Sequence, residues 1–374
     1  MTKHKTKTVI FLGAGASASE GAPTQADLFK TYFDTRAKRR PTKEMDRELA
    51  TFFRAMFRLD VDNSAHLNNA PFPTFEEALG ILDLAERRKE SLKEFDLENM
   101  SANSNRIRFI RQYLVMLMAS VLRDTLEAAG TNHLKLVHKL CNANLLQETT
   151  FINTNYDILI DNALTQLYFE SPKIYLDYGV DFTNPEDPSI EGGWMRPQDP
   201  AARLYKVHGS LNWLFCPTCN GLELTVNEKG IMRLITDLQN CRCRACESVI
   251  TPIIVPPTYF KDVSNLYLSQ IWHKAEQALR EAEHVIFCGY SLPDAGIHLK
   301  YLIKRAQTNR PDELKFTALN KKHDLNEANR FRRFLGESVN YTNHSFEDFA
   351  SNPMGFMTWK PKRRKPTTHN KRGS

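Results

Sequence analysis

Long apolar runs are absent from this sequence of 374 residues, and we find no internal repeat. No stretch approaches the roughly 20 apolar residues that a membrane-spanning helix needs. Residues 1–8 are polar and lysine-rich, and they lack the apolar segment of a secretory signal peptide. Hydrophobic residues make up 41% and charged residues 25% of the chain, which is ordinary for a globular protein. We therefore expect a cytoplasmic protein that makes no contact with membranes.

Acidic residues are absent from positions 359–374, where seven residues are Lys or Arg. Without those seven residues the net charge would be −1 instead of +6, so the rest of the chain is close to neutral. A basic end with prolines and few apolar residues is typical of a disordered, solubilising tail. We expect residues 359–374 to form such a tail. Binding of the tail to nucleic acid or to an acidic partner is the alternative.

Disulfide bonds are not expected in a reducing compartment, although the chain has seven cysteines. Four of them form two Cys-x-x-Cys pairs, Cys216 with Cys219 and Cys243 with Cys246. Such pairs are typical of tetrahedral zinc, because each pair presents two thiolates on one turn. Four thiolates leave no position for water, so the Zn²⁺ would be structural. Cys241 is an alternative ligand to Cys243, and scattered buried thiols are the alternative to a metal site.

The stretch from Thr8 to Pro23 combines a short apolar strand with closely spaced glycines and small residues. This order predicts a strand, a tight turn and the start of a helix. Gly13 would form the turn, Gly15 would let a pyrophosphate approach the backbone, and Ala18 would let the helix pack on the strand. Unpaired N–H groups and the positive end of the helix dipole would then face the anion. A tight turn that binds no ligand is the alternative.

Further apolar strands also end in small or polar residues. These strands are residues 149–152, 204–207, 284–288 and 314–319, and they end in residues 153–157, 208–210, 289–291 and 320. Strands separated by helices predict an α/β fold with a Rossmann-like, doubly wound and mostly parallel sheet. Ligands of such sheets bind at the carboxyl ends of the strands.

Two segments interrupt this pattern. Residues of about 41–146 have a helical period and predict a helical insertion, in which Thr74 and Glu77 form a capping box and Leu84 lies on the buried side. Residues 171–200 are rich in Asp, Pro and Gly and predict a surface loop. We expect one domain over residues 1–358, with a zinc module at about 214–250.

In order and spacing these motifs resemble the Sir2 (sirtuin) family over about residues 8–320. The resemblance implies a Rossmann-like NAD⁺ domain that carries a zinc module and a helical module. It also implies that His208 is the general base, that Asn155 and Asp157 line the nicotinamide side, and that the first turn cradles the pyrophosphate. The implied NAD⁺-binding residues are Gly13, Ala14, Gly15, Ser17, Pro23, Asn155, Asp157, Gly289, Ser291 and Asn320, of which Ser291 and Asn320 would hold the adenosine ribose.

The sequence departs from the protein deacylases of this family at their peptide-binding motifs. Thr24-Gln25 follows Pro23 where the deacylases have Phe-Arg, and the Phe-Gly-Glu segment after the zinc module is replaced by residues 252–257, which include three prolines. Because proline cannot donate to a strand ladder, this segment is poorly suited to holding an extended peptide. The stretches Asn153 to Asp157 and Val207 to Trp213 are instead similar to bacterial SIR2-like proteins of anti-phage defence, which hydrolyse NAD⁺ and in some cases assemble with a HerA-like ATPase.

We therefore expect an NAD⁺ hydrolase that forms a homo-oligomer and acts in anti-phage defence, gated by assembly or by a partner. Asn155, His208 and Asp157 would be its catalytic residues. Asn153 is the alternative residue for the roles of Asn155. Capping of the following helix is the alternative role of Asn155. Two other functions remain open. One is a protein deacylase or ADP-ribosyltransferase, and the other is a non-catalytic module that binds NAD⁺ or ADP-ribose.

Overall fold

The first strand, Thr8–Leu12, lies inside a parallel sheet and is buried along its whole length. The computed structural model describes residues 5–35, 43–63, 67, 70–90, 106–126, 130–170, 174–183, 201–224, 242–243, 245–255, 265–294, 296–321 and 324–357. Its strands are β1 (Thr8–Leu12), β2 (Thr149–Asn153), β3 (Tyr175–Asp177), β4 (Ala201–Lys206), β5 (Gly209–Phe215), β6 (Leu222–Leu224), β7 (Thr251–Ile254), β8 (His284–Cys288), β9 (Lys315–Leu319) and β10 (Asn340–Thr342). Its α-helices are α1 (Ala14–Ala18), α2 (Leu28–Thr35), α3 (Lys43–Phe57), α4 (Phe75–Arg88), α5 (Arg106–Leu126), α6 (Thr131–Asn142), α7 (Leu159–Glu170), α8 (Leu266–Glu281), α9 (Ile297–Thr308), α10 (Leu325–Leu335), α11 (Phe346–Ser351) and α12 (Pro353–Met357).

Seven strands form the main sheet in the order β10-β9-β8-β1-β2-β4-β3, and every pair in it is parallel. Parallel strands buried on both faces are expected to be continuously apolar, which is the pattern of β1 and β8 after the first residue of each, Thr8 and His284. The chain proceeds from β1 toward one edge through β2 and toward the other through β8, so the order reverses at β1. The predicted α/β fold with a doubly wound parallel sheet is confirmed.

Helices α3 to α6 lie between β1 and β2 along the chain, within the residues of about 41–146 where the helical insertion was expected. Thr74 caps α4 and forms a capping box with Glu77, as predicted. Leu84 was expected to be buried but is 37% exposed, because it lies on the outer side of α4. Helices α2 to α5 share a second hydrophobic core, the helical core, which also includes Tyr156 and Ile254, whereas Leu136 and Val137 of α6 belong to the core of the main sheet.

A smaller antiparallel sheet of β6, β5 and β7 follows the main sheet and carries the cysteines. The sequence reasoning did not predict this sheet. Strand β5 begins one residue after His208, so the small sheet continues directly from the carboxyl end of β4.

The predicted surface loop at residues 171–200 is wrong in part. Residues 175–177 form the edge strand β3, and Tyr178, Val180 and Phe182 are buried. Residues 184–200, Cys241 and the basic tail of residues 359–374 lie outside the described residues. Among the described helices none combines the length and the apolar character that a membrane span requires.

Candidate functional site

Side chains that were predicted to act together follow the carboxyl ends of neighbouring strands in the main sheet. Gly13 follows β1, residues 154–157 follow β2, His208 follows β4 and Gly289 follows β8. Strands β2 and β8 both pair with β1, so these segments meet where the strand order reverses. A doubly wound sheet has its ligand crevice at this position.

The glycines after β1 and β8 allow two loops to pack against each other. A Cβ atom on Gly13 would lie 2.6 Å from the carbonyl oxygen of Gly289, and one on Gly15 would lie 2.7 Å from the Cα of Gly289. Gly13 has an extended backbone, with φ of −112°, so it is required for close approach rather than for a left-handed turn. The outer side of Gly15 remains exposed.

The backbone N–H groups of this turn are largely used within the protein. Gly13 N donates to Cys288 O at 3.0 Å, Gly15 N to Gly289 O at 2.9 Å and Ala16 N to Gly13 O at 2.9 Å. The expectation of unpaired N–H groups is therefore wrong for these three residues. The bonds of Gly13 and Gly15 hold the loop after β1 against the end of β8 and the loop that follows it.

Asn155, Ser17 and Asp157 form one chain of hydrogen bonds. The Nδ2 atom of Asn155 donates to Gly13 O at 2.9 Å and to Ser17 Oγ at 2.8 Å, and Ser17 Oγ donates to Asp157 Oδ2 at 2.6 Å. Because the carbonyl of Gly13 can only accept, the nitrogen of the Asn155 amide must face it. Both amide hydrogens are used in these bonds, so Oδ1 is the atom through which Asn155 can orient a water or a ribose hydroxyl.

Two alternatives left open by the sequence are distinguished by the contacts of Asn153 and Asp157. Asn153 is buried and its Oδ1 accepts from the backbone N–H of Asn155 at 2.8 Å, which is a local turn contact. The backbone N–H of Leu159, at the start of α7, donates to Asp157 Oδ1 at 3.2 Å. Asp157, and not Asn155, therefore contributes the contact at the start of this helix.

His208 is 3% exposed and lies beside the loop that carries Asn155. Its Nδ1 atom is 3.2 Å from the carbonyl oxygen of Thr154, which can only accept, so Nδ1 carries the hydrogen. The lone pair of the neutral ring is then on Nε2, as a general base requires. The carbonyl oxygen of His208 accepts from Val255 N at 3.0 Å, which ties the residue to β7.

Tyr156 lies between His208 and the helical core. Its ring centroid is 6.3 Å from that of His208 and 6.0 Å from that of Phe75. Burial raises the pKa of Tyr156 well above its ordinary value, so the hydroxyl stays protonated and donates to Val255 O at 3.4 Å. The wall of the site beside His208 is therefore continuous with the helical insertion.

The residues expected at the adenosine ribose are less closely connected to this network. Ser291 is exposed and follows β8, and Pro23 is half-buried after α1. The backbone N–H of Asn320 donates to Thr342 O at 3.2 Å, beside the buried carboxyl of Glu327. Burial raises the pKa of Glu327, although hydrogen bonds from Asn320 and Tyr341 oppose this shift.

The four predicted zinc ligands come together at the end of the small sheet. The Sγ atoms of Cys216, Cys219, Cys243 and Cys246 lie within 4.8 Å of one another, and the pairs Cys216–Cys246 and Cys219–Cys243 are 3.4 and 3.6 Å apart. Sulfurs about 2.3 Å from a tetrahedral zinc ion lie about 3.8 Å apart, so this donor set fits Zn²⁺.

The two cysteine turns share one backbone feature. The residue after the second cysteine is left-handed in each, with φ of 57° at Asn220 and 59° at Glu247. In the second turn a hydrogen bond from the Ser248 side chain lowers the pKa of Cys246 to about 6, whereas burial raises the pKa of Cys243 to about 12, so a bound metal would have to displace the proton of Cys243.

Two hydrogen bonds that support the loop of residues 153–157 and strand β7 were not predicted from the sequence. Lys206 donates to the backbone oxygen of Asp157, and Arg111 of α5 donates to Ile254 O at 2.9 Å. The presence of a lysine within the buried strand β4 was the available signal for the first of these hydrogen bonds. The second joins residues 143 positions apart, and no sequence pattern indicated it.

Comparison with known proteins identifies one matching family. The model of the SIR2-like domain family matches residues 149–339, just over half of the chain. Similar solved structures include Sir2Tm bound to a propionylated peptide, with 14% identity, coverage of 94% of this chain and 93% of that chain, and a TM-score of 0.45. A complex of a Sir2 homologue with NAD has 14% identity, coverage of 95% and 90%, and a TM-score of 0.42. No curated protein matches the sequence.

Proposed function

Because the chain belongs to the SIR2-like domain family, whose match supports an NAD-related function, we propose that it hydrolyses NAD⁺ to nicotinamide and ADP-ribose. In this reaction the bond between the ribose C1′ and the nicotinamide nitrogen breaks, and a water oxygen bonds to C1′. Nicotinamide leaves as a neutral molecule, and the water gives up one proton. The site must therefore orient the water, accept its proton and stabilise the positive charge that develops on the ribose.

The contacts after β2 and β4 support these roles. Nε2 of His208 carries the lone pair that accepts the proton of the water, because Nδ1–H is committed to Thr154 O. Oδ1 of Asn155 orients the water or the ribose hydroxyls. Asp157 keeps Asn155 in place through Ser17 and contributes negative charge near the cation. The four cysteines would hold a structural Zn²⁺, which takes no part in the bond changes.

The edge of β7 is the observation that favours hydrolysis of NAD⁺ over deacylation of a peptide. Val255 N–H donates to His208 O on the β5 side, so by strand alternation the backbone groups of Pro252 and Ile254 face away from β5, where the described residues place no further strand. Pro252 has no N–H to offer there, and the carbonyl oxygen of Ile254 already accepts from Arg111. An extended peptide would need these groups to add itself as a strand. Water is therefore the favoured acceptor of the ADP-ribosyl group.

The biological role that we propose is anti-phage defence by depletion of NAD⁺. The stretches Asn153 to Asp157 and Val207 to Trp213 support it by their similarity to SIR2-like defence proteins. Continuous hydrolysis would deprive the cell of NAD⁺, so the activity must be restrained until infection. We propose that assembly into a homo-oligomer, or with a HerA-like ATPase or another partner, provides this restraint. The basic tail at residues 359–374 is a candidate contact for nucleic acid.

The first test is to measure NAD⁺ consumption and nicotinamide release by the full chain, alone and with candidate partners. We expect His208→Ala and Asn155→Ala each to lower turnover by about a hundredfold or more, because each removes a contact to the reacting atoms. His273→Ala on the exposed side of α8 is the matched control and should retain turnover.

Two other results would replace this proposal. Release of O-acyl-ADP-ribose from NAD⁺ and an acylated peptide would make the protein a deacylase. Tight NAD⁺ binding without turnover in every assembly state would make it a binding module. Wild-type turnover in both site variants would mean that the chemistry lies elsewhere.

A further inference from the structure

Lys206 is a fully buried lysine at the end of β4, two residues before His208. Its Nζ atom donates to the backbone carbonyl of Asp157 and, at 3.0 Å, to Oδ2 of Asp161 in the first turn of α7. A single ammonium group thus joins the strand that leads to His208 with the loop that carries Asn155 and Asp157.

Asp161 completes a charged network behind this loop. Its side chain is 3% exposed, and Oδ1 accepts from the hydroxyl of Tyr178 at 2.7 Å. The ring of Tyr178 packs edge-on against Trp213 of β5, with 5.5 Å between the ring centroids. The network is therefore fixed by the small sheet on one side and by α7 on the other.

A buried ion pair of this kind is a weak source of stability. Removing two charges from water costs about as much free energy as their mutual attraction returns, and apolar residues of similar volume are often at least as stable. A lysine at a fully buried position of β4 is thus better explained by what its ammonium group holds. The atom that it holds outside the ion pair is the carbonyl oxygen of Asp157.

We propose that Lys206 is a positioning residue, whose bond to the Asp157 carbonyl fixes the loop of residues 153–157 against the strand that presents His208. The inference rests on the proposed function in one respect, since the groups being aligned are those assigned to NAD⁺ cleavage. Lys206 itself touches no substrate. It acts through Asp157 and, along the chain, through Asn155.

The test compares Lys206→Met with the double variant Lys206→Met/Asp161→Asn. The single variant leaves the Asp161 carboxylate buried without its cation, so we expect Tm to fall by about 5 °C or more. The double variant removes both charges and keeps an acceptor for Tyr178, so Tm should recover. In both variants we expect kcat to fall by about tenfold or more with KM changed by less than about threefold, because a misplaced loop weakens alignment in the transition state.

Hydrogen–deuterium exchange measures directly how well the loop of residues 153–157 is held in place. Deuterium uptake by peptides that cover residues 153–157 should increase in both variants, since each lacks the donor to Asp157. Lys304→Met is the control, because Lys304 is a half-buried lysine of α9 that contacts Gln307 and Phe334. We expect it to change neither kcat nor the exchange of that loop.

The proposal is overturned if the double variant regains wild-type kcat together with wild-type Tm, because the ion pair would then be purely structural. It is equally overturned if exchange at residues 153–157 is unchanged in the double variant. An inactive wild-type protein would contradict the proposed function instead, and the exchange measurement would still decide whether Lys206 positions the loop.

Discussion

The absence of a side chain at Gly289 allows the loops after β1 and β8 to pack against each other at the candidate site. Its backbone is left-handed, with φ of +61°, and a Cβ atom there would lie 2.3 Å from the backbone nitrogen of Ala16. We expect Gly289→Ala to lower the free energy of unfolding by about 1–2 kcal/mol from backbone strain alone, with about 1–3 kcal/mol more from the clash. Denaturant unfolding measures the sum, and NAD⁺ affinity should fall with it.

Gly336 is the control for an added side chain that meets no neighbour. Its φ is also positive, at +105°, although its ψ of 166° lies outside the left-handed helical region, and no described atom lies within 4 Å of an added Cβ. Gly336→Ala should therefore show only the strain. If Gly289→Ala lost no more than the strain of about 1–2 kcal/mol and kept its NAD⁺ affinity, the close approach of the loops after β1 and β8 would not be required.

At the scale of elements, α5 is connected to the segment beside His208 through the side chain of Arg111. Arg111 on this helix donates to Asp83 Oδ1 at 2.6 Å and to Ile254 O at the end of β7. We expect Arg111→Met to lower turnover by about tenfold, because β7 can then shift and displace the backbone of His208 to which it is bonded. Steady-state kinetics of nicotinamide release would measure this effect.

Arg108 provides the control on the same helix. It is an exposed arginine that pairs with Glu86 of α4, as Arg111 pairs with Asp83. Exposed pairs contribute little, so Arg108→Met should change turnover by about twofold or less. If both variants lost activity equally, the general packing of α5 on α4 would matter and not the contact with Ile254.

The elements that could be predicted from the sequence are those whose pattern is local. Strand β1 is a continuous apolar run, and the capping box of Thr74 is complete within four residues, so both were predicted correctly. Strand β3 has only three residues, in a segment rich in Asp and Pro, and so short a strand shows no period. It forms because its pairing with β4 supplies the hydrogen bonds.

The candidate site likewise has features that follow from local sequence patterns and features that depend on contacts between distant residues. The meeting of Gly13, Asn155 and His208 at one rim follows from parallel strands whose carboxyl ends share an edge. The bond between Ser17 and Asn155 joins residues 138 positions apart, and it depends on side-chain directions that no pattern in the sequence reveals. The sequence therefore indicated which residues meet, whereas the hydrogen-bond partners and the state of the Gly15 N–H group required the structure.

At the scale of the whole molecule, two hydrophobic cores share the segments that form the site. The helical core contains Phe53, whose ring centroid is 4.8 Å from that of Phe29. It also contains Tyr156 of the loop after β2 and Ile254 at the end of β7. The helical insertion is thus packed against the site and is not an independent appendage. We expect the described parts of both cores to unfold together.

Phe53→Ala tests this coupling, because the residue is fully buried in the helical core. We expect a loss of about 3–5 kcal/mol in the free energy of unfolding, from lost burial and the cavity left behind. Urea unfolding followed by far-ultraviolet circular dichroism and by residual NAD⁺ turnover should give one shared midpoint, shifted equally in both signals. Phe109→Ala, at a position that is 37% exposed on α5, should shift it much less. If turnover survived after the helical signal was lost, the site would be independent of the insertion, and a partner that acts on these helices could not restrain the activity through their packing.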